Sequence, residues 1–423
     1  MRNYGELVGA DRVHASLYAD EGVFADELER IFTRGWVFVG HESEVAEAGQ
    51  WVTRRLGREP VIMTRDRDGA VHVLANRCSH RGTALCWEHR GRSSSFQCNY
   101  HAWTFGLDGS LRAVPYPAGF EKDRAGLGLD RPGQVDSYRG FVFANLDGSA
   151  GPLSGHLGVG GVDMIDRLCD LSPTGTIHLA PNWIGHRVAS NWKMWPESDN
   201  DGYHLNWVHA SMVSAAPDTY YQETVLGGEL GNSSRAVDWG DGHVELDFRP
   251  SYQRELAWLG VQRERVASYC EALEAARGTE AARRSLWDGP PHGLVFPNLF
   301  LGELNLAIIE PLSATAMVHW HTAVQFDGVD EAFNRRILRQ SEAAMGPGAF
   351  IVPDDAVTAE RMQSAVAGVQ PGWATVPEPR GWLDMSRGLN READEPGGRR
   401  AALISDETTN RGFWRQYRTV MSR

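Results

Sequence analysis

The spacing of apolar positions along this chain changes from helical to alternating within the first forty residues. Residues 20–36 carry apolar side chains at Phe24, Leu28, Ile31 and Phe32, steps that fit one face of a helix. From Trp36 the spacing shortens. Val37-Phe38-Val39-Gly40, Trp51-Val52-Thr53, Pro60-Val61-Ile62-Met63 and Val71-His72-Val73-Leu74 are short β-type runs separated by glycine-containing turns. Phe96-Gln97-Cys98, Trp103-Thr104-Phe105 and residues 138–146 extend the pattern. Leu107-Asp108-Gly109-Ser110 has the residues of a tight hairpin. Residues 38 to about 150 are therefore expected to form an all-β domain.

Residues 149–155 are rich in Gly, Ser and Pro and mark a boundary. Beyond it the pattern is mixed. Residues 176–179 and 244–248 read as strands, and residues 252–275 and 329–345 as helices. The runs 294–296, 299–301, 306–309 and 317–321 read as consecutive strands of one antiparallel sheet. The aromatic group Phe413, Trp414 and Tyr417 suggests a docked terminal helix. The fold class is α+β, in three parts: a helical segment over 1–37 that packs on the last part, an all-β domain over 38–155, and a domain over 156–423 with an antiparallel sheet flanked by helices.

Composition narrows the function classes. The chain has 423 residues, enough for two or three domains. With 55 acidic and 42 basic side chains it carries a net charge of -13, which disfavours nucleic acid and anionic membrane surfaces as partners. It has no apolar run long enough to span a bilayer, and its first residues lack the apolar core of a signal peptide. The five cysteines include a scattered, odd remainder, Cys86, Cys169 and Cys270, expected to be reduced and buried in a cytoplasmic protein.

The β domain holds the first candidate chemistry. Cys78-Ser79-His80 is followed by a seventeen-residue spacer and then by Cys98-Asn99-Tyr100-His101. Two thiolates and two imidazoles in mixed pairs suit a 2Fe-2S centre with two cysteines on one iron and two histidines on the other. Two cysteines and two histidines are also a zinc set, although zinc fingers usually pair like with like. The flanking residues add to the first reading. Arg77–Gly82 and Cys98–Phe105 resemble the cluster-binding loops of Rieske proteins. The resemblance implies Cys78, His80, Cys98 and His101 as cluster ligands, with Trp103 shielding the cluster from water.

The second constellation is Asp201-Gly202-Tyr203-His204, with His209 five residues on. Five residues of regular helix turn by roughly 500°, leaving the two histidines about 140° apart. One ion could hold both only if the helix were distorted, for instance by a π-bulge. Alone, such a pair is weak evidence for a metal. The segment, however, resembles the iron motif of Rieske non-haem iron ring-hydroxylating oxygenases, large (alpha) subunit. That resemblance covers most of the chain. It implies Fe(II) held by His204, His209 and one carboxylate, a facial set that leaves positions open for oxygen. The family pattern, a ligand aspartate five residues before a glutamate, selects Asp355 through Glu360. Asp354 is the rival, whose plain role would be a helix N-cap. Asp201, three residues before His204 and expected on the same helix face, takes the role of the aspartate that links this histidine to a Rieske histidine of a neighbouring subunit. Where many members have asparagine, this chain has Ser198.

The function implied is that of a terminal oxygenase acting on an aromatic substrate with O2. The chain has no nucleotide-binding fingerprint, so electrons must come from a separate NAD(P)H-dependent reductase, with or without a ferredoxin. The resemblance favours ring cis-dihydroxylation and a homotrimer or an α3β3 assembly with a small beta subunit. The alternatives are a Rieske monooxygenase and a non-catalytic Rieske electron carrier.

Overall fold

The computed structural model describes residues 2–120, 126–215, 233–302, 304–367 and 381–423. The chain forms two compact units: Leu28–Leu153, and Met1–Glu27 together with Ser154–Arg423.

The Leu28–Leu153 unit is built of short antiparallel strands. One sheet runs Val71–Ala75, Glu59–Arg65, Gln50–Leu56, Arg90–Arg92. Another runs Gln134–Tyr138, Phe141–Asn145, Val37–His41. A third small sheet joins Phe96–Gln97, Thr104–Phe105 and Leu111–Ala113. A core of Ile62, Leu74, Phe96, Trp103, Phe105 and Leu107 closes around Cys78 and Cys98. The short strands carry apolar side chains on the face that meets this core, as a half-buried sheet requires.

The other unit is organised by a sheet that is ten-stranded among the described residues. Its long axis is the hairpin Asn305–Ser313 and Ala316–Phe326, continued through Leu299–Gly302, His292–Val295, His243–Asp247 and Arg235–Gly240. The expected run of strands between 294 and 321 is thus one antiparallel sheet. Three expectations change. Residues 252–275 are not one helix but short 3-10 turns leading into Ala267–Arg277. A helix over Leu153–Asp170 carries the chain out of the Gly-rich boundary, kinked at Gly158. Its glycines lower helix propensity enough to hide it from a periodicity reading. A π-helical turn does occur, at Leu28–Thr33 and not near His204.

A buried carboxylate ties the ends of this unit together. Glu27 accepts from Trp192 Nε1 at 2.8 Å and Tyr417 Oη at 2.6 Å, and pairs with Lys193 Nζ at 2.5 Å. Glu27 and Lys193 are both fully buried. A charge in that position persists only when paired, and deleting one partner of a buried pair costs about 3–5 kcal/mol. The network fixes the N-terminal helix Glu21–Glu27 and the terminal helix Thr408–Met421 against the segment that leads to His204. A second buried glutamate does the same one turn further. Glu197 accepts from Tyr18 Oη at 2.7 Å and Trp414 Nε1 at 2.5 Å. Burial pushes its carboxyl up to about 7.

Candidate metal centres

The two cysteine-histidine loops are closed in the same way. Gly82 N–H donates to Cys78 O at 2.9 Å, and Ala102 N–H donates to Cys98 O at 2.9 Å. Both closing residues have positive φ, 76° and 55°. Gly82 adopts this freely, whereas Ala102 does so at a cost of about 1–2 kcal/mol. The turns place both thiols inward, at 2% and 3% exposure, and leave both imidazoles half-buried at the rim. The His80 and His101 rings lie 4.7 Å apart, and Trp103 stacks on His80 at 4.7 Å with 2° between planes. Burial pushes the Cys78 thiol up, and the neighbouring Cys98 adds to this. Backbone N–H groups of His80 and Arg81 act the other way, as donors that would favour a thiolate.

These residues fit a 2Fe-2S cluster. The donors comprise two inner sulfurs and two outer nitrogens, and His101 Nδ1 is buried without a partner. A buried ring nitrogen left unpaired is costly unless something binds there. Arg81 is exposed; Cys86, Cys169 and Cys270 are buried and in no disulfide, and Cys86 packs in the same core as Cys78 and Cys98.

The second centre is assembled from two segments. Helix Met194–Asp199 ends, the chain turns through residues 200–204, and a single helical turn follows at Leu205–Val208. His204 precedes that turn and His209 follows it, so the five-residue spacing needs no π-bulge. Gly202 passes so close to the strand end at Ile404 that a Cβ would lie 2.3 Å from its carbonyl oxygen. Asp201 therefore reaches His204 from a turn rather than along a helix face. Its Oδ1 accepts the Tyr203 N–H at 2.7 Å, and its Oδ2 lies 3.2 Å from His204 Nδ1.

The carboxylate comes from helix Ile351–Ala367. Glu360 on this helix accepts the Ala189 N–H at 3.0 Å, and Gln363 accepts the Asn191 N–H at 2.8 Å, locking the helix beside the histidine segment. Asp355 Oδ1 lies 3.6 Å from His204 Nε2 and 3.4 Å from His209 Nε2, and the two nitrogens are 3.3 Å apart. Ligands about 2.1 Å from one ion, at right angles, stand about 3 Å apart, so the triangle fits a metal with little movement. Among the described residues these three form the one such group. Asp354 lies within the first turn and is not an N-cap. Its Oδ2 is 3.7 Å from His209 Nδ1, behind the ring. Ser198 Oγ donates to Asp355 Oδ1 at 3.3 Å. Burial pushes the Asp355 carboxyl up to about 7, opposed by His204.

The triangle faces a pocket with about 420 Å³ of empty space, counting its mouth. Its walls include Asp199, Leu205, His292, Phe300, Met345 and Ile351. None of these was singled out by sequence. They come from separated segments, and nothing local in the chain links them.

Comparison with known proteins identifies the class. Residues 35–137 match the Rieske 2Fe-2S domain family, and residues 170–423 match the ring hydroxylating alpha subunit (catalytic domain) family. The second match spans more than half of the chain, and the chain belongs to the ring-hydroxylating alpha subunit family. It is an oxidoreductase whose cofactors are a Rieske 2Fe-2S cluster and mononuclear iron. It is 29% identical over 403 residues to the 2-halobenzoate 1,2-dioxygenase large subunit of Burkholderia cepacia, covering 90% of this chain and 80% of that one. It is 30% identical over 368 residues to the N,N-dimethyl phenylurea N-demethylase subunit alpha of Sphingobium sp., covering 81% and 78%. A solved naphthalene 1,2-dioxygenase with indole in its active site superposes with a TM-score of 0.80 at 25% identity, covering 100% of this chain and 95% of that one. No described helix is long and apolar enough to cross a membrane.

Proposed function

We propose that this chain is the terminal component of an oxygenase system that adds both atoms of dioxygen to an aromatic ring as a cis-diol. Electrons arrive from a separate NAD(P)H-dependent reductase, directly or through a ferredoxin. The observation that carries the reading is the joint presence, in one chain, of the cluster loops and the His204–His209–Asp355 triangle beside a pocket.

In this reading residues 38–155 form the electron-carrying domain, with Cys78 and Cys98 on one iron and His80 and His101 on the other. Residues 156–423 form the catalytic domain, on which residues 1–37 pack, with His204, His209 and Asp355 on the mononuclear iron. Iron(II) bound there supplies dioxygen activation, fed with electrons from the cluster. The chain's own groups do the rest. Ser198 orients the Asp355 carboxylate, Asp354 backs His209, and Asp201 fixes the His204 ring through Nδ1. Leu205, Phe300, Met345 and Ile351 offer a ring an apolar seat.

The assembly proposed is a homotrimer or an α3β3 complex with a small beta subunit, in which Asp201 links His204 to a Rieske histidine of the neighbouring chain. The names of the relatives, "large subunit" and "subunit alpha", support a multi-subunit enzyme. The three cysteines outside the ligand set, Cys86, Cys169 and Cys270, are in no disulfide, which supports a reducing, cytoplasmic setting. A second reading, N-demethylation by monooxygenation, is favoured by the likeness to the phenylurea demethylase subunit. Single turnover of the reduced protein under 18O2 with a panel of aromatics separates the two. The diol reading expects two labelled oxygens in one product, and demethylation expects a dealkylated product without ring label.

A further inference from the structure

Asp199 is an acidic side chain in the wall of an otherwise largely apolar pocket. It lines the same space as His204, His209 and Asp355. Its backbone carbonyl accepts from His292 Nε2 at 2.9 Å, which holds this part of the wall in place. Its side-chain Oδ2 is buried and has no hydrogen-bond partner. The Trp195 indole lies beside the carboxyl and favours its charged form, but neither Trp195 Nε1 nor Asp199 Oδ2 reaches a partner in hydrogen-bond geometry.

The charges around the pocket point the same way. No Lys or Arg lines it among the described residues. A ring carboxylate entering this space would lose its hydration and find no Lys or Arg among the described lining residues to pair with, with the Asp199 carboxyl beside it instead. A ring bearing N–H or O–H would give Asp199 the donor it lacks, and a carboxyl accepts such a bond whether or not it is ionised.

We propose that Asp199 sets the substrate class of this oxygenase: the pocket selects an aromatic ring carrying a hydrogen-bond donor, of the aniline or aryl-amide type, over ring carboxylates. The inference rests on the oxygenase reading of the site. It separates this chain from its relative named for 2-halobenzoate. Asp199 acts here as a specificity-determining residue, because it meets the substrate's substituent and not the metal.

Three matched compounds test it with the iron-replete enzyme and a surrogate NADH reductase: aniline, toluene and benzoate. Oxygen uptake, product and substrate-stimulated oxidation of the reduced cluster are measured for each. The expected order of kcat/KM is aniline, then toluene, then benzoate. Asp199→Ala should lower the aniline-to-toluene ratio by roughly 10–100-fold, the cost of an unmade hydrogen bond, and Asp199→Asn, which keeps an acceptor, should restore most of it. A ratio unmoved in Asp199→Ala would mean that Asp199 only packs against Trp195, and would overturn the proposal. Preference for benzoate would also overturn it while leaving the oxygenase reading intact. If the wild-type protein oxidises none of these or a wider panel of aromatics, the oxygenase reading itself fails, and the proposal with it.

Discussion

Asp201 Oδ2 lies 3.2 Å from His204 Nδ1, on the opposite side of the ring from the nitrogen that faces His209 and Asp355. The carboxylate and the metal position thus share one imidazole without competing for it. Burial tends to lower the His204 pKa, but the hydrogen bond and charge of Asp201 outweigh this and raise it. Asp201→Asn keeps size and hydrogen bonding but removes the charge that, in the proposed assembly, balances a protonated Rieske histidine of the neighbouring chain. Both metal centres should stay bound, while cluster oxidation in single turnover falls roughly 10–100-fold. A rate near wild type would leave Asp201 as a structural group alone.

Asp354 and Asp355 are adjacent but face different atoms of His209. Asp355 Oδ1 faces Nε2 at 3.4 Å, and Asp354 Oδ2 faces Nδ1 at 3.7 Å. Asp355→Ala should abolish product formation and leave the Rieske spectrum intact. Asp354→Ala should cost no more than roughly 10–100-fold, the usual effect of removing a group that only orients a ligand. If Asp354→Ala loses the mononuclear iron and Asp355→Ala keeps it, the carboxylates have been assigned the wrong way round.

Gly202 lies beside the Ile404 carbonyl with no room for a Cβ. Gly202→Ala must push the turn that carries Asp201 and His204 away from that strand end. An overpacked contact of this kind typically costs about 1–3 kcal/mol. The variant should have a lower Tm and reduced mononuclear iron, with the cluster's absorbance unchanged. Equal loss of both centres would place the damage elsewhere.

The buried histidines His319 and His321, with the half-buried His186 beside them, carry the pH dependence of stability that is easiest to isolate. His186 and His319 are paired across neighbouring strands, and His186 Nε2 is 3.2 Å from His321 Nε2. Burial, with help from the neighbouring histidines, pushes His321 down to about 4 and His319 well below its ordinary value. Both are therefore neutral when folded, while the unfolded chain protonates them near 6.5. Their stabilisation is present above pH 6.5 and is lost as pH falls toward 4, where the unfolded state binds the extra protons. Neither ring nitrogen of His319 has a partner. His319→Leu should hold or raise stability at pH 7. It should also make the decline between pH 6.5 and 4 shallower by about 1.4 kcal/mol per pH unit, one proton's worth. Denaturant titrations at several pH values check this, and parallel curves for the two proteins would contradict it.

The cluster loops were legible because each is local: a few residues define both the ligands and the turn that presents them. The sheet was legible from runs such as Leu299-Phe300-Leu301 and Leu306-Ala307-Ile308, where burial on both faces leaves little else but apolar residues. The helix at Leu153–Asp170 was hidden by its glycines. For the iron site, sequence supplied the residues but not the geometry. His204 and His209 meet because the chain breaks helix on both sides of one turn, where Gly202 lies against Ile404 in a tertiary contact that the local sequence does not reveal. The roles of Ser198 and Asp354 depend on which atom of a neighbour each faces, and Asp199 and His292 share a pocket wall only after folding.

Metal analysis tests the central claim, that one chain carries both centres, without knowledge of the substrate. Purified wild-type protein should contain three irons and two acid-labile sulfides per chain, on the order set by one 2Fe-2S cluster and one mononuclear site. Asp355→Ala should contain two irons with the reduced cluster's paramagnetic signal unchanged, and Cys78→Ala should lose that signal. Two irons in the wild type after anaerobic reconstitution, or three in Asp355→Ala, would contradict the account.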